Sequence, residues 1–571
     1  MKRTPSQLAA ILSPAHQILV LAGPGSGKTS TVIARLERIL EEGVRPGEIA
    51  AITFTNAAAR EIEARLGASR RLGYCGTLHG FALRCLRKHG GAAGYGERIS
   101  VINQEGAEAL LASANRTVAA GKISMKKLLE AKAAGIPEKP SAVPDLVVAH
   151  YLKTIRDAGI VDFDVILTEF ARLLEAERGF TNLGIGVAGD FSHVFVDEIQ
   201  DSAPVDWRIY RALPIANKFL VGDPDQSIYG FRGASVEETL FAAESGDWEV
   251  HKLEENFRSF TAITDAAQRL IEHNLERVPK RTVSAKGVGG RAAAAELANA
   301  GEESARIAAL IKMEMIGRKP EEIAVLTRTN SVAMELGKAL AALDVPVAVR
   351  ADPELPRDLP VARALAAYLC NPDNDTLGFI YTLAIDRDRT GTDGRAHEIL
   401  QEAKALRKSL NAHAYGFPHG LPAAEFSAVA SRSGISRESI MFAAEKLRDL
   451  PPEAPMIELA AALGAGAEFD SARTLAQNGV RVLTVHSAKG LEFDTVFLAG
   501  FEDETIPGRR KDVDLEEERR LAYVGITRAK RILQFTSAKV RETKWSGLEK
   551  RSPSRFIAEA LTKKPQPVAS P

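Results

Sequence analysis

Ile18-Leu19-Val20-Leu21-Ala22-Gly23-Pro24-Gly25-Ser26-Gly27-Lys28-Thr29 opens on four apolar residues and closes on a glycine-rich turn. The residues that follow place apolar side chains at Val32, Leu36, Ile39 and Leu40, at helical spacing. Strand, glycine-rich turn and helix in that order form the setting of a phosphate-binding loop. Gly23, Gly25 and Gly27, with Pro24 and Ser26 between them, let successive backbone N–H groups converge on phosphate oxygens. The start of the helix adds a favourable dipole. Lys28 then neutralises the β- and γ-phosphates of a nucleotide such as ATP, and the Thr29 hydroxyl ligates Mg²⁺. Ala22 stands where the pattern's first glycine usually is.

The acids such a loop needs are in His193-Val194-Phe195-Val196-Asp197-Glu198, an apolar strand ending in two carboxylates. Asp197 is suited to hold Mg²⁺ through water, and Glu198 to polarise the water that attacks the γ-phosphate. Ile49-Ala50-Ala51-Ile52 and Phe219-Leu220-Val221 add strands that alternate with helical stretches, which predicts a parallel sheet covered on both faces. A second set of strands is expected at Ile323-Ala324-Val325-Leu326, Val480-Arg481-Val482-Leu483, Val496-Phe497-Leu498 and Ile532-Leu533-Gln534-Phe535. The expected organisation is α/β. A first parallel-sheet domain covers 1–89 and 189–255, with a mostly helical insertion at 90–188. A second covers 256–350 and 478–562, with another helical insertion at 351–477, and 563–571 form a disordered tail. No fixed-period repeat is visible.

Composition bounds the reading. A chain of 571 residues exceeds the roughly 250–300 at which single cores stop growing, so at least two domains are expected. With 45% hydrophobic and 26% charged residues the chain is not largely disordered. No apolar run approaches the ~18 residues of a membrane span, and the start lacks a secretory h-region. Cys75, Cys85 and Cys370 are too few and scattered for a metal cluster or a disulfide framework, so a cytoplasmic protein without membrane contact is expected. Lysine plus arginine number 74, as do aspartate plus glutamate. That balance excludes a protein coated in positive charge and leaves a local nucleic-acid groove open. The segment from Arg531 to Lys564 carries nine lysines and arginines against three glutamates, either a solvated face or a phosphate-tracking edge.

Asp197-Glu198-Ile199-Gln200-Asp201 resembles the DExQD box of superfamily 1 helicases. The resemblance becomes specific at Val221-Gly222-Asp223-Pro224-Asp225-Gln226-Ser227-Ile228-Tyr229-Gly230-Phe231-Arg232-Gly233-Ala234. It is strongest at Leu483-Thr484-Val485-His486-Ser487-Ala488-Lys489-Gly490-Leu491-Glu492-Phe493 and at Glu517-Glu518-Arg519-Arg520-Leu521-Ala522-Tyr523-Val524-Gly525-Ile526-Thr527-Arg528-Ala529. These motifs are similar to the UvrD/Rep branch, whose members are ATP-driven 3′→5′ DNA motors built on two RecA-like P-loop domains. The resemblance implies ATP and Mg²⁺ as cofactors. It makes Gln7 an adenine reader, Gln226 a γ-phosphate sensor, Arg258 and Arg528 arginine fingers, Phe257 the ring that stacks on adenine, and Gly490 and Glu492 nucleotide contacts, the latter at the ribose. Fingers supplied by a second domain make cleft closure depend on ATP.

For the track, the resemblance implies DNA contacts at Phe54, Thr55 and Asn56, at Thr77 and His79, at Tyr229, Phe231 and Arg232, and at Arg328, Asn330 and His486. Stacking of bases on Tyr229 and Phe231 contributes about 1–3 kcal/mol per base and tolerates any sequence, as a moving protein needs. Relatives carry a Gly-Ile-Gly hairpin in the second insertion that grips duplex DNA; the nearest stretch here, 386–394, lacks it, and that insertion is shorter. The chain after Arg528 is also too short for an appended nuclease domain. The expected function is an ATP-dependent 3′→5′ DNA helicase or translocase acting on single-stranded DNA and 3′-tailed duplexes, with protein partners in repair, replication or defence. A DNA-stimulated ATPase subunit with little unwinding of its own is the alternative. A P-loop enzyme for a small substrate, such as a kinase, fits the long motifs poorly.

Overall fold

The computed structural model describes residues 3–67, 70–89, 99–102, 104–118, 123–124, 127–128, 143–179, 190–349, 478–509, 513–543 and 547–562. The second insertion at 351–477, with its 386–394 stretch, and the tail at 563–571 lie outside the described residues.

β1 (Gln17–Ala22) and β2 (Ile49–Thr53) are almost wholly apolar, and every residue but Gln17 is buried, as befits strands with helices on both faces. They join β3 (Tyr74–Thr77) in the first sheet. A separate parallel pair, β4 (Ser100–Ile102) and β5 (Ile160–Asp162), follows among the helices Gln104–Thr117, Val143–Asp157 and Phe163–Gly179. β6 (His193–Val196), β7 (Asn217–Gly222) and β8 (Glu249–Leu253) then return to the first sheet. Its order is β3-β2-β6-β7-β1-β8, with every pairing parallel.

β9 (Glu255–Asn256) and β10 (Val283–Ser284) form a two-stranded link. The second sheet takes β11 (Arg291–Asn299), β12 (Ile323–Thr327), β13 (Val347–Val349), β14 (Val480–Thr484), β15 (Phe493–Leu498) and β16 (Ala529–Thr543). The order is β11-β16-β15-β12-β14-β13, again parallel, and β17 (Gly547–Lys550) pairs antiparallel with the far end of β16. The molecule is thus α/β, with two parallel-sheet domains. The second domain opens with the helix Thr261–Ile271. β11 carries no strand signal, because its Arg291-Ala-Ala-Ala-Ala-Glu296 run favours helix. It is a strand because the 15-residue β16 offers it a long ladder, from Arg291 opposite Ile532 to Asn299 opposite Val540.

Parallel sheets gather ligand-binding loops at their carboxyl ends. The glycine-rich loop leaves β1, Phe54 and Thr55 leave β2, Asp197 leaves β6, Asp223 leaves β7, Arg328 leaves β12 and Val485 leaves β14. The two domains repeat one turn. Thr53 Oγ1 donates to the Thr55 carbonyl at 2.8 Å and Thr55 caps the helix Asn56–Leu66. Likewise Thr327 Oγ1 donates to the Thr329 carbonyl at 3.0 Å and Thr329 caps the helix Asn330–Ala342.

Among the described residues, most cations of the basic run from Arg531 are paired within the second domain. Arg531 pairs with Asp494, Lys539 with Glu296, Arg551 with Glu549 and Arg555 with Asp503. Arg541 bridges the buried carboxylates of Glu303 and Glu502. Glu303 also accepts from Gly500 N–H at 3.0 Å and Thr536 Oγ1 at 2.7 Å, and Glu502 accepts from Ala538 N–H at 2.8 Å. These side chains read as a structural face. Arg541→Ala leaves two uncompensated buried carboxylates, so a loss of about 3–5 kcal/mol is expected, measured as a fall in unfolding midpoint in urea.

Candidate functional site

One cleft of about 1310 Å³ runs between the two sheets' carboxyl ends, and its lining holds most of the residues singled out from the sequence. From the glycine-rich loop come Pro24, Gly25, Ser26, Gly27, Lys28 and Thr29. Gly25 and Gly27 have φ of 65° and 82°, a conformation other residues adopt at a cost of roughly 1–2 kcal/mol. A Cβ on Gly25 would also lie 2.6 Å from the Arg258 Cβ. The loop therefore abuts the segment that carries one of the arginines. Asn256, which the sequence reading passed over, fixes that approach. It donates to the Pro24 carbonyl at 2.6 Å and accepts from the N–H groups of Arg258 and Ser259 at 2.9 and 2.7 Å.

Asp197 and Glu198 face the loop. Lys28 Nζ lies 3.5 Å from Glu198 Oε2. Glu198 has a left-handed backbone, φ 58°, strain of the kind that collects at functional positions; the Asp197 carboxylate accepts its N–H at 2.9 Å. Burial, and next the Glu198 charge, hold the Asp197 carboxyl well above its ordinary range. Burial pushes Glu198 the same way, but Lys28, Lys489 and a hydrogen bond from Gln200 outweigh it and leave Glu198 ionised. A divalent cation beside Asp197 would relieve that crowding of negative charge, and Thr29 lines the same cleft, so the oxygen donors fit Mg²⁺.

The second domain closes the cleft. Arg528 is buried, pulled down to about 9 by burial and then by the Arg258 charge, and donates to Gln226 Oε1 at 3.0 Å. Arg258 pairs with Glu492 at 2.7 Å, and Lys530 holds the other Glu492 oxygen at 2.7 Å. Two further residues support the site, one within the first domain and one across to it. Gln200 accepts the Asp223 N–H at 2.8 Å and donates to Glu198. Lys489 grips both Asp201 oxygens at 2.6 Å and the Gln226 carbonyl at 3.1 Å. Both lie inside the quoted motifs, and only three-dimensional contact reveals their work.

An aromatic series leads away from this point. Phe54 stacks on Tyr229 with centroids 5.3 Å apart and planes 20° apart; Tyr229 meets Phe231 at 5.9 Å, and Phe231 meets His486 of the other domain edge-on at 5.7 Å. Phe231 is 67% exposed, a large side chain left in water. Arg232 lies over both Tyr229 and Phe231. Thr55, Arg328 and Asn330 line the same cleft, and Arg328 is held bidentate by Glu518 at 3.0 and 2.7 Å.

Not every expected residue reaches the cleft. Gln7 completes a capping box with Thr4 at the helix Pro5–Leu12: its Oε1 accepts Thr4 N–H at 3.1 Å, and its Nε2 donates to the Ser26 carbonyl at 2.9 Å. It buttresses the phosphate loop from behind. Ala22 is the buried end of β1, and Gly23 N–H is spent on the Leu253 carbonyl at 3.0 Å. Asn56 begins a helix on the exposed side. Thr77 accepts from Gly80 N–H at 3.2 Å, and His79 packs against Phe163 at 5.8 Å, both outside the lining. Phe257, Gly490 and Glu492 do line it.

The fold, the loop-and-acid arrangement and the arginines entering from a second sheet define a P-loop motor of two parallel-sheet domains. The family model for the UvrD/REP helicase N-terminal domain matches residues 3–245, and that for the UvrD-like helicase C-terminal domain matches 251–403 and 453–540. The chain belongs to the UvrD-like helicase family. Similar proteins include the ATP-dependent DNA helicase PcrA of Staphylococcus epidermidis, 28% identical over 97% of this chain and 85% of the relative, and that of Staphylococcus aureus, 27% identical over the same shares. Among the described residues no helix is long and apolar enough to cross a membrane.

Two tests follow from the geometry. Gly25→Ala combines the left-handed strain with a clash against Arg258, so nucleotide affinity and thermal stability are both expected to fall, measured by equilibrium binding of a fluorescent ATP analogue and by melting. Burial pulls His79 down to about 4; burial, then the Arg328, Lys489 and Arg232 charges, do the same at His486. The unfolded chain titrates near its ordinary value of about 6.5 and binds protons the folded one refuses. Their contribution is fully present above pH 6.5 and lost as pH falls through about 4. The melting temperature is expected to drop across that window, and His79→Gln to flatten the drop.

Proposed function

We propose that this protein is an ATP-dependent DNA helicase that moves 3′→5′ along single-stranded DNA. The observation that carries the reading is the contact between Gln226 and Arg528, which joins nucleotide chemistry to closure of the cleft and stands three residues from Tyr229 of the aromatic series. Lys28 and the loop N–H groups bind the triphosphate. Thr29 and Asp197 would hold Mg²⁺, which would supply positive charge for the phosphates. Glu198, kept ionised by Lys28 and Lys489, accepts a proton from the attacking water. Arg528 and Arg258 bring the cationic charge that arginine fingers use to accelerate phosphoryl transfer by about 10³–10⁵. Arg258 reaches that position by exchanging Glu492 for phosphate, and Glu492 is then available to the ribose. Phe257, whose N–H donates to the Gly25 carbonyl at 2.9 Å, stacks on the adenine ring in this reading.

Support for DNA as the track comes from Phe54, Tyr229, Phe231 and His486, which form a tolerant stacking surface across both domains, with Thr55, Arg232, Arg328 and Asn330 beside it for the backbone. Support for helicase activity comes from the family and from the similar PcrA proteins named for it; repair, replication or recombination is the setting this suggests.

Single-stranded DNA is expected to stimulate ATPase activity, and Lys28→Ala to abolish it, followed by phosphate release. Strand displacement is expected on duplexes with a 3′ tail. Displacement confined to 5′ tails would reverse the polarity, and DNA-stimulated hydrolysis with no displacement on either would identify an ATPase subunit instead.

A further inference from the structure

The segment between β9 and β10 contains a group of charges that the reaction described above does not use. Lys280 is 1% exposed on its side chain, and its ammonium lies between two buried carboxylates, in contact with Asp223 Oδ1 and 2.7 Å from Asp225 Oδ2. Arg277 forks onto Asp225 at 3.1 and 2.9 Å. Burial disfavours an ammonium, yet Asp223 and Asp225 together hold Lys280 above its ordinary range. Two cations and two carboxylates so enclosed form a balanced set. As a source of stability such a set is weak, because desolvation consumes most of the attraction.

Its position suggests another use. The second Asp223 oxygen accepts a hydrogen bond from Gln226 Nε2, while Gln226 Oε1 accepts from Arg528 at 3.0 Å. An amide side chain has a donor end and an acceptor end and is turned by whichever partner is fixed first. Asp223, clamped by Lys280 through its other oxygen, accepts from the amide nitrogen and leaves the amide oxygen for Arg528. Two residues beyond Lys280, Thr282 lies against the phosphate loop, where a Cβ on Gly23 would sit 3.2 Å from its Oγ1. One segment thus touches both the loop and the carboxylate that holds the sensor.

We propose that Lys280, supported by Arg277, is a positioning residue for ATP hydrolysis: it fixes Asp223, which orients the Gln226 amide toward Arg528. The proposal rests on the reading of Gln226 as the γ-phosphate sensor. The test compares Lys280→Met, the charge-compensated pair Lys280→Met with Asp225→Asn, Gln226→Ala, and Lys280→Met combined with Gln226→Ala. DNA-stimulated kcat and the KM for ATP are measured for each, and the compensated pair guards against misfolding. Both Lys280 variants are expected to lose about 10- to 100-fold in kcat, the scale of a misplaced catalytic group, with KM little changed. In the Gln226→Ala background, Lys280→Met is expected to cost nothing more, since the two act through one path. An unchanged kcat in the folded compensated pair, or the same loss in both backgrounds, overturns the proposal while a defective Gln226→Ala leaves the sensor reading standing. Undiminished kcat in Gln226→Ala defeats the sensor reading and this proposal with it.

Discussion

The loop from Asp223 to Arg232 leaves the first sheet and is seated in the second domain, and the arrangement of the site depends on that seat. Ile228, fully buried, packs with Ile263, Val485 and Tyr523 of the second domain's core. Burial of such a side chain contributes about 1.5–3 kcal/mol. The backbone around it is held from the same side: Arg520 donates to the Ser227 carbonyl at 3.1 Å, and Gly230 N–H donates to Glu517 at 2.8 Å. Gln226 is thereby presented to Arg528 on one side of Ile228, and Tyr229 and Phe231 to the groove on the other. A displacement of the second domain moves both together, which is the mechanical link a motor needs.

Electrostatics in the cleft follow from crowding of carboxylates in a dry place. Asp197, Glu198 and Asp201 stand close together, and burial pushes all three carboxyls toward protonation. Lys28 and Lys489 oppose this selectively. Glu198 stays ionised, whereas burial outweighs Lys489 at Asp201 and lifts that carboxyl to about 6. The distribution of lysines thus decides which acid is available as a base and which are spent on structure.

Much of this was legible in the chain because it is local. The loop from Gly23 to Thr29 and the strand before Asp197 announce themselves by residue type and spacing, and apolar runs marked the central strands of both sheets. What was hidden is non-local or compositionally mute. β11 is an alanine run that becomes a strand only beside β16. Asn256, Gln200 and Lys280 gain their meaning from partners distant in sequence, and no short motif records a hydrogen bond made at that range. Gln7 likewise shows in three dimensions what its position alone does not: its Oε1 closes a capping box with Thr4, while its Nε2 reaches the Ser26 carbonyl of the phosphate loop.

Arg328 lies in the groove with both arms of its guanidinium on Glu518. On the proposed DNA reading, a phosphate arriving there meets a cation already satisfied and must exchange with a carboxylate, with little net gain in charge neutralised. Binding by exchange is shallow in free energy and quickly undone, since the displaced acid stays tethered at hand to reclaim its partner. A protein that has to let go of its track at each cycle has reason to keep such a competitor beside its grip.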